Sequence, residues 1–396
     1  MTFFVKFEKN KTRTLSWLLT LWVYTYALFY FVPLIIPSTT MLMYIWLATI
    51  AVIVIFINKK ISVGLLKFMM LYVLVALVNV AVVSYKYYVV IDAFSGFVIF
   101  IPALLIISSY QFNIEDFLNV WYKFAIAATV FSPVAIILMQ KRIIDYGVFT
   151  YLNLPNCIAF SFIFSLVNKE DRRKKIGLFL SIFNFFIILF FGGRMAAFAA
   201  AFSVFLGYML SSSANRIKKA IIIIMVGVMG VLIVNNLYSI LVYANVILNK
   251  FNLNSRTFAL LAEQIKASGN GLYMSGREVI YEEVVNYISQ RAGLPGGFGV
   301  TLYISNGEYY HPHNLFLQLA VLFGIVGGIL AVLVFVYRIF RVKKIYSHLE
   351  YIFTLFLILN YLVISFTGGS ILNNYVAIMG IGMAFFYRGN QMTICD

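Results

Sequence analysis

The chain consists mostly of apolar runs of close to twenty residues, separated by short polar or basic turns. A helix needs about 20 apolar residues to cross the hydrocarbon core of a bilayer, where every backbone polar group must be satisfied internally. The sequence therefore predicts an all-α polytopic membrane protein. The expected spans lie near 15–37, 41–57, 62–83, 89–109, 117–139, 151–167, 176–192, 195–213, 220–244, 313–337, 350–367 and 371–387, which makes about twelve transmembrane helices.

The composition agrees with this class. Hydrophobic residues make up 63% of the 396 positions and charged residues 11%, whereas soluble proteins average roughly 45–50% and about 25%. The mean hydropathy is +0.94. Such a chain lacks the polar surface that several soluble domains would need, and one membrane bundle is the better interpretation.

The net charge of +16 follows topology. Basic residues cluster in short segments on alternate turns, which is the pattern of cytoplasmic loops. The clusters are Lys6 to Arg13, Lys59-Lys60, Lys169 to Lys175, Arg216 to Lys219 and Arg338 to Lys344. With both termini cytoplasmic, all of them fall on one side, so we expect no nucleic-acid partner.

This orientation divides the chain into three parts. Residues 1–245 hold transmembrane helices 1–9, residues 246–312 form one large extracytoplasmic loop, and residues 313–396 hold helices 10–12 with a short cytoplasmic tail. The loop pattern predicts two amphipathic helices, over 255–267 and from about Gly276. The second is expected to place Val279, Ile280, Val284, Tyr287 and Ile288 on one face, before a Gly/Pro-rich turn at 294–299.

Two motifs are absent from the sequence. No GxxxxGK[ST] or GxGxxG motif occurs, which argues against ATP-driven transport in this chain. Cys157 lies in an apolar run and Cys395 in the tail, so we expect neither a disulfide nor a cysteine metal site. The glycines of Gly324 to Gly328 lie inside a span, where small residues let helices approach closely.

Arg194 and Arg277 are the leading candidate site residues. Arg194 follows Gly192-Gly193 at the outer end of a span, where it serves either as an interfacial anchor or as a ligand for phosphate. Arg277 opens the second loop helix, where it is either a solvated residue paired with a glutamate or an addition to the anion-binding helix amides. Arg256 and Arg291 are weaker candidates and fit surface charges as well.

The segment Tyr309-Tyr310-His311-Pro312-His313-Asn314 enters the membrane again after the loop. A histidine here can act as a base near neutral pH, or the two histidines can be ordinary interfacial residues. His311, His313 and Glu308 could also hold a metal, but no cysteine or aspartate supports that alternative.

Two successive stretches of the sequence resemble the His-Asn-x-x-Leu-Gln…Gly-x-x-Gly signature of the O-antigen polymerase (Wzy-type) and O-antigen ligase superfamily. They are His313-Asn314-Leu315-Phe316-Leu317-Gln318 and Phe323-Gly324-Ile325-Val326-Gly327. Three other segments are similar to further motifs of this family and follow one another in the same order along the chain. They are Gly193-Arg194, Gly276-Arg277 and Gly293 to Gly299. Gly193 stands where a serine is usual, Phe323 where many relatives carry glutamate, and His311 is additional.

The resemblance implies a GT-C-like membrane glycosyltransferase of polysaccharide or lipopolysaccharide biosynthesis in the bacterial inner membrane, with its active site facing the periplasm. The family joins glycan carried on undecaprenyl diphosphate to an acceptor, so the expected partners are that lipid-linked oligosaccharide and membrane lipid, with a chain-length regulator protein left open. No cofactor or metal is expected, and the transfer should be inverting. His313, Arg194 and Arg277 are then the expected catalytic residues, and the expected substrate-binding residues are Arg256, Arg291, His311, Asn314 and Tyr310.

A polymerase that extends another lipid-linked repeat unit is the preferred function. One alternative is an O-antigen ligase that transfers polymer to lipid A-core. Another, from a different class, is a polysaccharide flippase or transporter, although polar residues here gather at the outer mouth rather than at the membrane midplane.

Overall fold

The computed structural model describes residues 2–34, 39–166, 172–210, 217–221, 223, 237–250, 255, 258, 265, 277–365, 371 and 373–388. In these ranges every regular element is a helix. The helices of the N-terminal part are α1 (Thr2–Val23), α2 (Thr25–Phe31), α3 (Thr39–Asn58), α4 (Val63–Val82), α5 (Lys86–Ile107), α6 (Ile114–Gln140), α7 (Val148–Leu166), α8 (Arg172–Phe191), α9 (Arg194–Leu210) and α10 (Leu237–Lys250). Those of the C-terminal part are α11 (Arg277–Gln290), α12 (Val300–Ile304), α13 (Leu315–Ile345), α14 (His348–Ser365) and α15 (Tyr375–Phe385).

Within the described residues, eight helices are long and apolar enough to cross a membrane, or nine if the bent pair α1 and α2 forms one span. The chain is thus a polytopic membrane protein. α9 and α15 are apolar but shorter, with 17 and 11 residues. Most of the expected span 220–244, most of the expected loop helix 255–267 and the turn at Pro37-Ser38 lie outside the described residues.

Two helices continue past the ends of the expected spans. α10 continues to Lys250, past residue 246 where the loop was expected to begin. α13 continues to Ile345 and includes the basic segment Arg338 to Lys344, which was expected to be a loop. Basic side chains tolerate this placement because their long aliphatic stems let the charge reach the interface from a helix end.

The chain forms two compact units. The first contains Met1–Val23, Ser38–Val120 and Ser275–Asp396, and the second contains Tyr24–Pro37 and Trp121–Met274. In the first unit α5 is the most enclosed membrane helix, with about two thirds of its apolar window buried against its neighbours. Its packing partners include α1, α3, α4 and α15.

The second unit is built around α7, which is 89% buried. Small residues let α8 and α9 approach it: a Cβ at Gly207 would overlap the backbone of Ser161, and one at Gly177 would lie 3.3 Å from the Phe160 carbonyl oxygen. Close backbone approach through small residues is a common form of helix packing in bilayers.

A cluster of buried amides ties this unit together. Asn153 and Asn156 on α7 each donate to the Asn184 side-chain oxygen on α8, at 2.8 and 3.2 Å. The Asn184 amide in turn donates to Thr129 on α6 at 2.9 Å. All three asparagines are fully buried, and inside a bilayer such groups must bond to one another because water is absent.

Candidate functional site

α11 is the platform of the candidate site in the first unit. It begins at Arg277, as the sequence predicts, and buries Ile280, Val284 and Ile288 at helical spacing. Val279 is 59% exposed, so its expected place on the buried face is wrong. It stands one residue before Ile280, about 100° away around the helix.

The histidine segment is held against this helix. The Tyr281 hydroxyl donates to the His313 main-chain carbonyl at 3.2 Å. Tyr281 lies one turn after Arg277, on the same face, where side chains four apart are neighbours. The structure therefore places the His313 backbone beside the helix that begins with Arg277.

His313 itself has an uncommon backbone conformation, with φ at +53°. A residue with a large side chain pays an energetic cost for positive φ, and such residues concentrate at functional sites. The imidazole rings of His311 and His313 lie 4.4 Å apart between centroids, and the Tyr309 ring meets His313 edge-on at 6.1 Å. Both histidines are half-buried.

The next two motif residues have structural partners. The Asn314 side-chain oxygen caps α13, accepting from the amides of Phe316 at 2.9 Å and Leu317 at 3.2 Å. The buried Gln318 accepts from the Ile371 amide at 3.1 Å. The capping bonds use the Asn314 oxygen, so a substrate contact by this residue would fall to its amide nitrogen.

Gly324 breaks α13 in two, with φ +74° and ψ 170°. The break frees the Val321 carbonyl, which accepts from the amides of Gly296 at 2.7 Å and Gly297 at 3.2 Å. The Gly293 carbonyl accepts from the Ile325 amide at 3.0 Å on the other side. The expectation that Gly324 serves helix–helix approach is therefore wrong: it lets the Gly-rich turn dock into a broken helix.

The membrane helices before this turn also hold it, which the sequence analysis missed. The Asn79 side-chain oxygen accepts from the Phe298 amide at 2.9 Å, and the Asp92 carboxylate accepts from the Gly299 amide at 2.8 Å. The Tyr85 hydroxyl donates to the Gly296 carbonyl at 2.6 Å. A sequence signal existed for Asp92, because an acidic residue inside an apolar helix is costly and needs a specific partner.

Two tyrosines near the site have raised pKa values. Burial raises the pKa of the Tyr85 hydroxyl, and its contact with the Tyr287 hydroxyl at 3.3 Å adds to the effect. The neighbouring Glu308 carboxylate, through a hydrogen bond and its charge, raises the pKa of Tyr309. Both hydroxyls therefore keep their protons at neutral pH and act as hydrogen-bond donors.

Arg194 lies in the second unit, where it is the first residue of α9 and half-buried. The helix that follows Arg194 has small side chains on its enclosed face, where Ala196, Ala197 and Ala200 are all buried. Arg194 and Arg277 thus both open helices, at the end where the dipole favours anions and a cation adds to that preference. A phosphate group is the ligand that this combination suits best.

Arg291, one of the two weaker candidates, stands apart from this neighbourhood. Arg291 follows the far end of α11, and a helix of fourteen residues is about 21 Å long, so Arg277 and Arg291 do not serve the same phosphate. The Arg291 guanidinium lies 5.6 Å from the Tyr287 ring centroid and lines a cleft of about 500 Å³ with Asn79. Tyr310 is 52% exposed. Arg256 lies outside the described residues.

Neither a protein-family profile nor a curated protein sequence matches this chain.

In the described part of the chain no three His, Cys, Asp or Glu side chains are grouped as metal ligands would be. In the first unit, His313 lies beside α11, the helix that begins with Arg277, and just before α13, which is long and apolar. Such an arrangement can take a proton from a hydroxyl group and stabilise an anion.

Proposed function

We propose that this protein is a polysaccharide polymerase that transfers glycan from undecaprenyl diphosphate to the end of another lipid-linked repeat unit. The observation that carries the proposal is the contact of Tyr281 with His313. It places the histidine of the His-Asn-x-x-Leu-Gln motif beside the helix that opens with Arg277. The docking of the Gly-rich turn at Gly324 adds support, because it joins two more motif segments in the same unit.

In the proposed reaction an acceptor hydroxyl attacks the anomeric carbon of the donor sugar. The new glycosidic bond forms as the bond from that carbon to the diphosphate oxygen breaks, and the diphosphate leaves with the electron pair. His313 accepts the hydroxyl proton, and Arg194 and Arg277 stabilise the charge that develops on the leaving group. The transfer is inverting, because the attack displaces the leaving group directly. It needs no metal, since arginines replace it, and no general acid, since diphosphate already leaves readily.

The proposal includes the membrane arrangement. Twelve spans, cytoplasmic termini and a periplasmic active site in the bacterial inner membrane place the reaction where lipid-linked repeat units are exposed. The basic clusters support this orientation. His311, Tyr310, Asn314 and the arginines 256 and 291 bind the glycan or its carrier in this proposal.

The test is the glycan profile of a strain lacking the protein, with surface glycan and undecaprenyl-linked glycan resolved separately on gels. A polymerase predicts single repeat units on the surface anchor and no ladder. Long chains that accumulate on undecaprenyl diphosphate would instead identify a ligase, and unchanged chain lengths with slower appearance at the surface would identify a transporter.

The same strain tests the residues. Complementation with His313→Ala, Arg194→Ala or Arg277→Ala should leave the ladder absent while protein levels stay normal. The control is Val285→Ala, on the same helix as Arg277 at a side chain that is 48% exposed, which should retain normal extension. Full activity of His313→Ala would remove the proposed base.

A further inference from the structure

The second unit contains a polar cleft of about 880 Å³, within the size range of small-molecule sites. One wall is the end of α6 and the following turn, with Gln140, Arg142, Asp145 and Tyr146. The other wall includes Asn245 and Asn249 of α10. None of these residues belongs to the site described above.

The chemistry of the lining favours a polyhydroxylated ligand. The amides of Gln140, Asn245 and Asn249 each offer donors and an acceptor, which matches sugar hydroxyls that both donate and accept. Asp145 adds an acceptor, Arg142 adds donors, and the ring of Tyr146 offers a surface for an apolar sugar face. A lipid chain offers no hydrogen bonds to these polar groups, and a simple anion would not match the carboxylate and the amides.

The α10 wall is positioned by its apolar face. Leu241 and Leu248 pack in one cluster with Phe258, against Phe190. Asn245 and Asn249 lie one turn apart beside that face, so packing fixes their direction. Ser255, at the edge of the cleft, donates to the Phe190 carbonyl at 2.6 Å and is 2% exposed.

The opposite wall is equally fixed. α6 ends in a tight cap in which the Ile143 amide donates to the Leu138 carbonyl at 2.9 Å, with Arg142 at φ +58°. Glycine is the usual residue at this position, because other residues pay a cost for positive φ. Asp145 accepts from the Gly147 amide at 2.8 Å, which orients its carboxylate.

The cleft adjoins Arg194. An atom of the Tyr146 ring lies 3.8 Å from the place where Gly193 would carry a Cβ, and Gly193 directly precedes Arg194. The proposed function places the diphosphate of the lipid-linked donor at Arg194. A sugar attached to that diphosphate would then occupy the adjoining cleft.

We propose that this cleft binds the saccharide of the lipid-linked repeat unit, with Asn245 and Asn249 as hydrogen-bonding residues and Tyr146 as the stacking residue. The inference rests on the proposed function for the identity of its ligand. It assigns sugar recognition to residues of the second unit, none of which belongs to the histidine segment.

The test uses the repeat-unit oligosaccharide released from its lipid carrier by mild acid, titrated into the full-length protein in lipid nanodiscs. Saturation-transfer NMR should detect binding to the wild type. Asn245→Ala combined with Asn249→Ala should weaken binding at least about tenfold, and Tyr146→Ala should remove the transfer to the apolar sugar face. The matched control is Val246→Ala, on the same helix at a side chain that is 49% exposed.

Asp145→Asn is a second variant, because an amide oxygen still accepts from Gly147 and the turn is retained. It should also weaken binding. Wild-type affinity in the double variant of Asn245 and Asn249, or no binding to the wild-type protein at all, would overturn the proposal that this cleft binds the saccharide. The proposed function fails by a different result, since normal chain length in the deletion strain would exclude a polymerase even if the asparagine-dependent binding remained.

Discussion

Gly324→Ala should detach the Gly-rich turn from α13. The backbone at this position, φ +74° and ψ 170°, belongs to a region that essentially only glycine occupies. A Cβ there would lie 2.8 Å from the Gly293 carbonyl oxygen and 3.0 Å from the Pro295 nitrogen. Both neighbours are backbone atoms, which cannot rotate away as a side chain would, so either the helix or the turn must move.

The size of the effect follows from two contributions. Backbone strain of this kind costs about 1–3 kcal/mol. Moving the turn also weakens the bonds that Val321 and Gly293 accept, and each hydrogen bond contributes roughly 0.5–1.5 kcal/mol. Together they predict a loss of about 2–5 kcal/mol in the free energy of unfolding of the first unit.

Thermal unfolding of the purified protein in detergent, followed by intrinsic fluorescence, measures this loss. At 2–4 °C for each kcal/mol, the Tm should fall by about 4–20 °C. The control is Gly64→Ala on α4, where a Cβ would meet no atom within 4 Å and where alanine should stabilise the helix by roughly 0.5–1 kcal/mol. An unchanged Tm for Gly324→Ala would refute the reasoning, because it would mean that the helix break is not needed.

Three further changes have defined outcomes in the same unfolding assay. Asp92→Ala should cost roughly 1–3 kcal/mol, because it leaves the buried Gly299 amide unpaired, whereas Asp92→Asn keeps an acceptor and should cost less; equal losses would contradict this. Gly207→Ala should destabilise the second unit more than Gly177→Ala, because its Cβ would overlap the neighbouring backbone; the reverse order would show that α9 can move away freely. Asn184→Leu should cost roughly 1–2 kcal/mol, because it leaves its amide partners without their hydrogen bonds. Replacing those partners with apolar residues as well should recover part of the loss. No recovery would mean that the partner amides bond to other groups.

Much of the membrane architecture was predictable because the period and length of apolar runs depend on the chain alone. The helices over 39–58, 63–82 and 114–140 follow the expected spans closely. Errors occur where a helix continues through polar residues: α10 and α13 extend past the ends of their apolar runs. Hydropathy marks where apolar sequence stops, but helical hydrogen bonding continues as long as the backbone permits.

The candidate site divides in the same way. Arg277, His313 and the glycines were visible as motifs, and Arg277 indeed opens its helix. The partners that hold the turn were not visible. Asn79 and Asp92 lie about two hundred residues before the amides they bind, and no local pattern predicts a contact at that separation.

The docking at Gly324 closes residues 293–325 into a ring. The two ends of this ring are joined by the Gly293–Ile325 and Gly296–Val321 hydrogen bonds, and the histidine segment lies within it. Extracellular domains often close such loops with a disulfide, but here backbone amides do so. An insertion at the exposed Asn306-Gly307 turn would enlarge the ring. It would not break the hydrogen bonds that join its ends or shift the register of the membrane helices. The Asn306-Gly307 turn is therefore a place where the segment between Gly293 and Ile325 can change in length at little cost to stability.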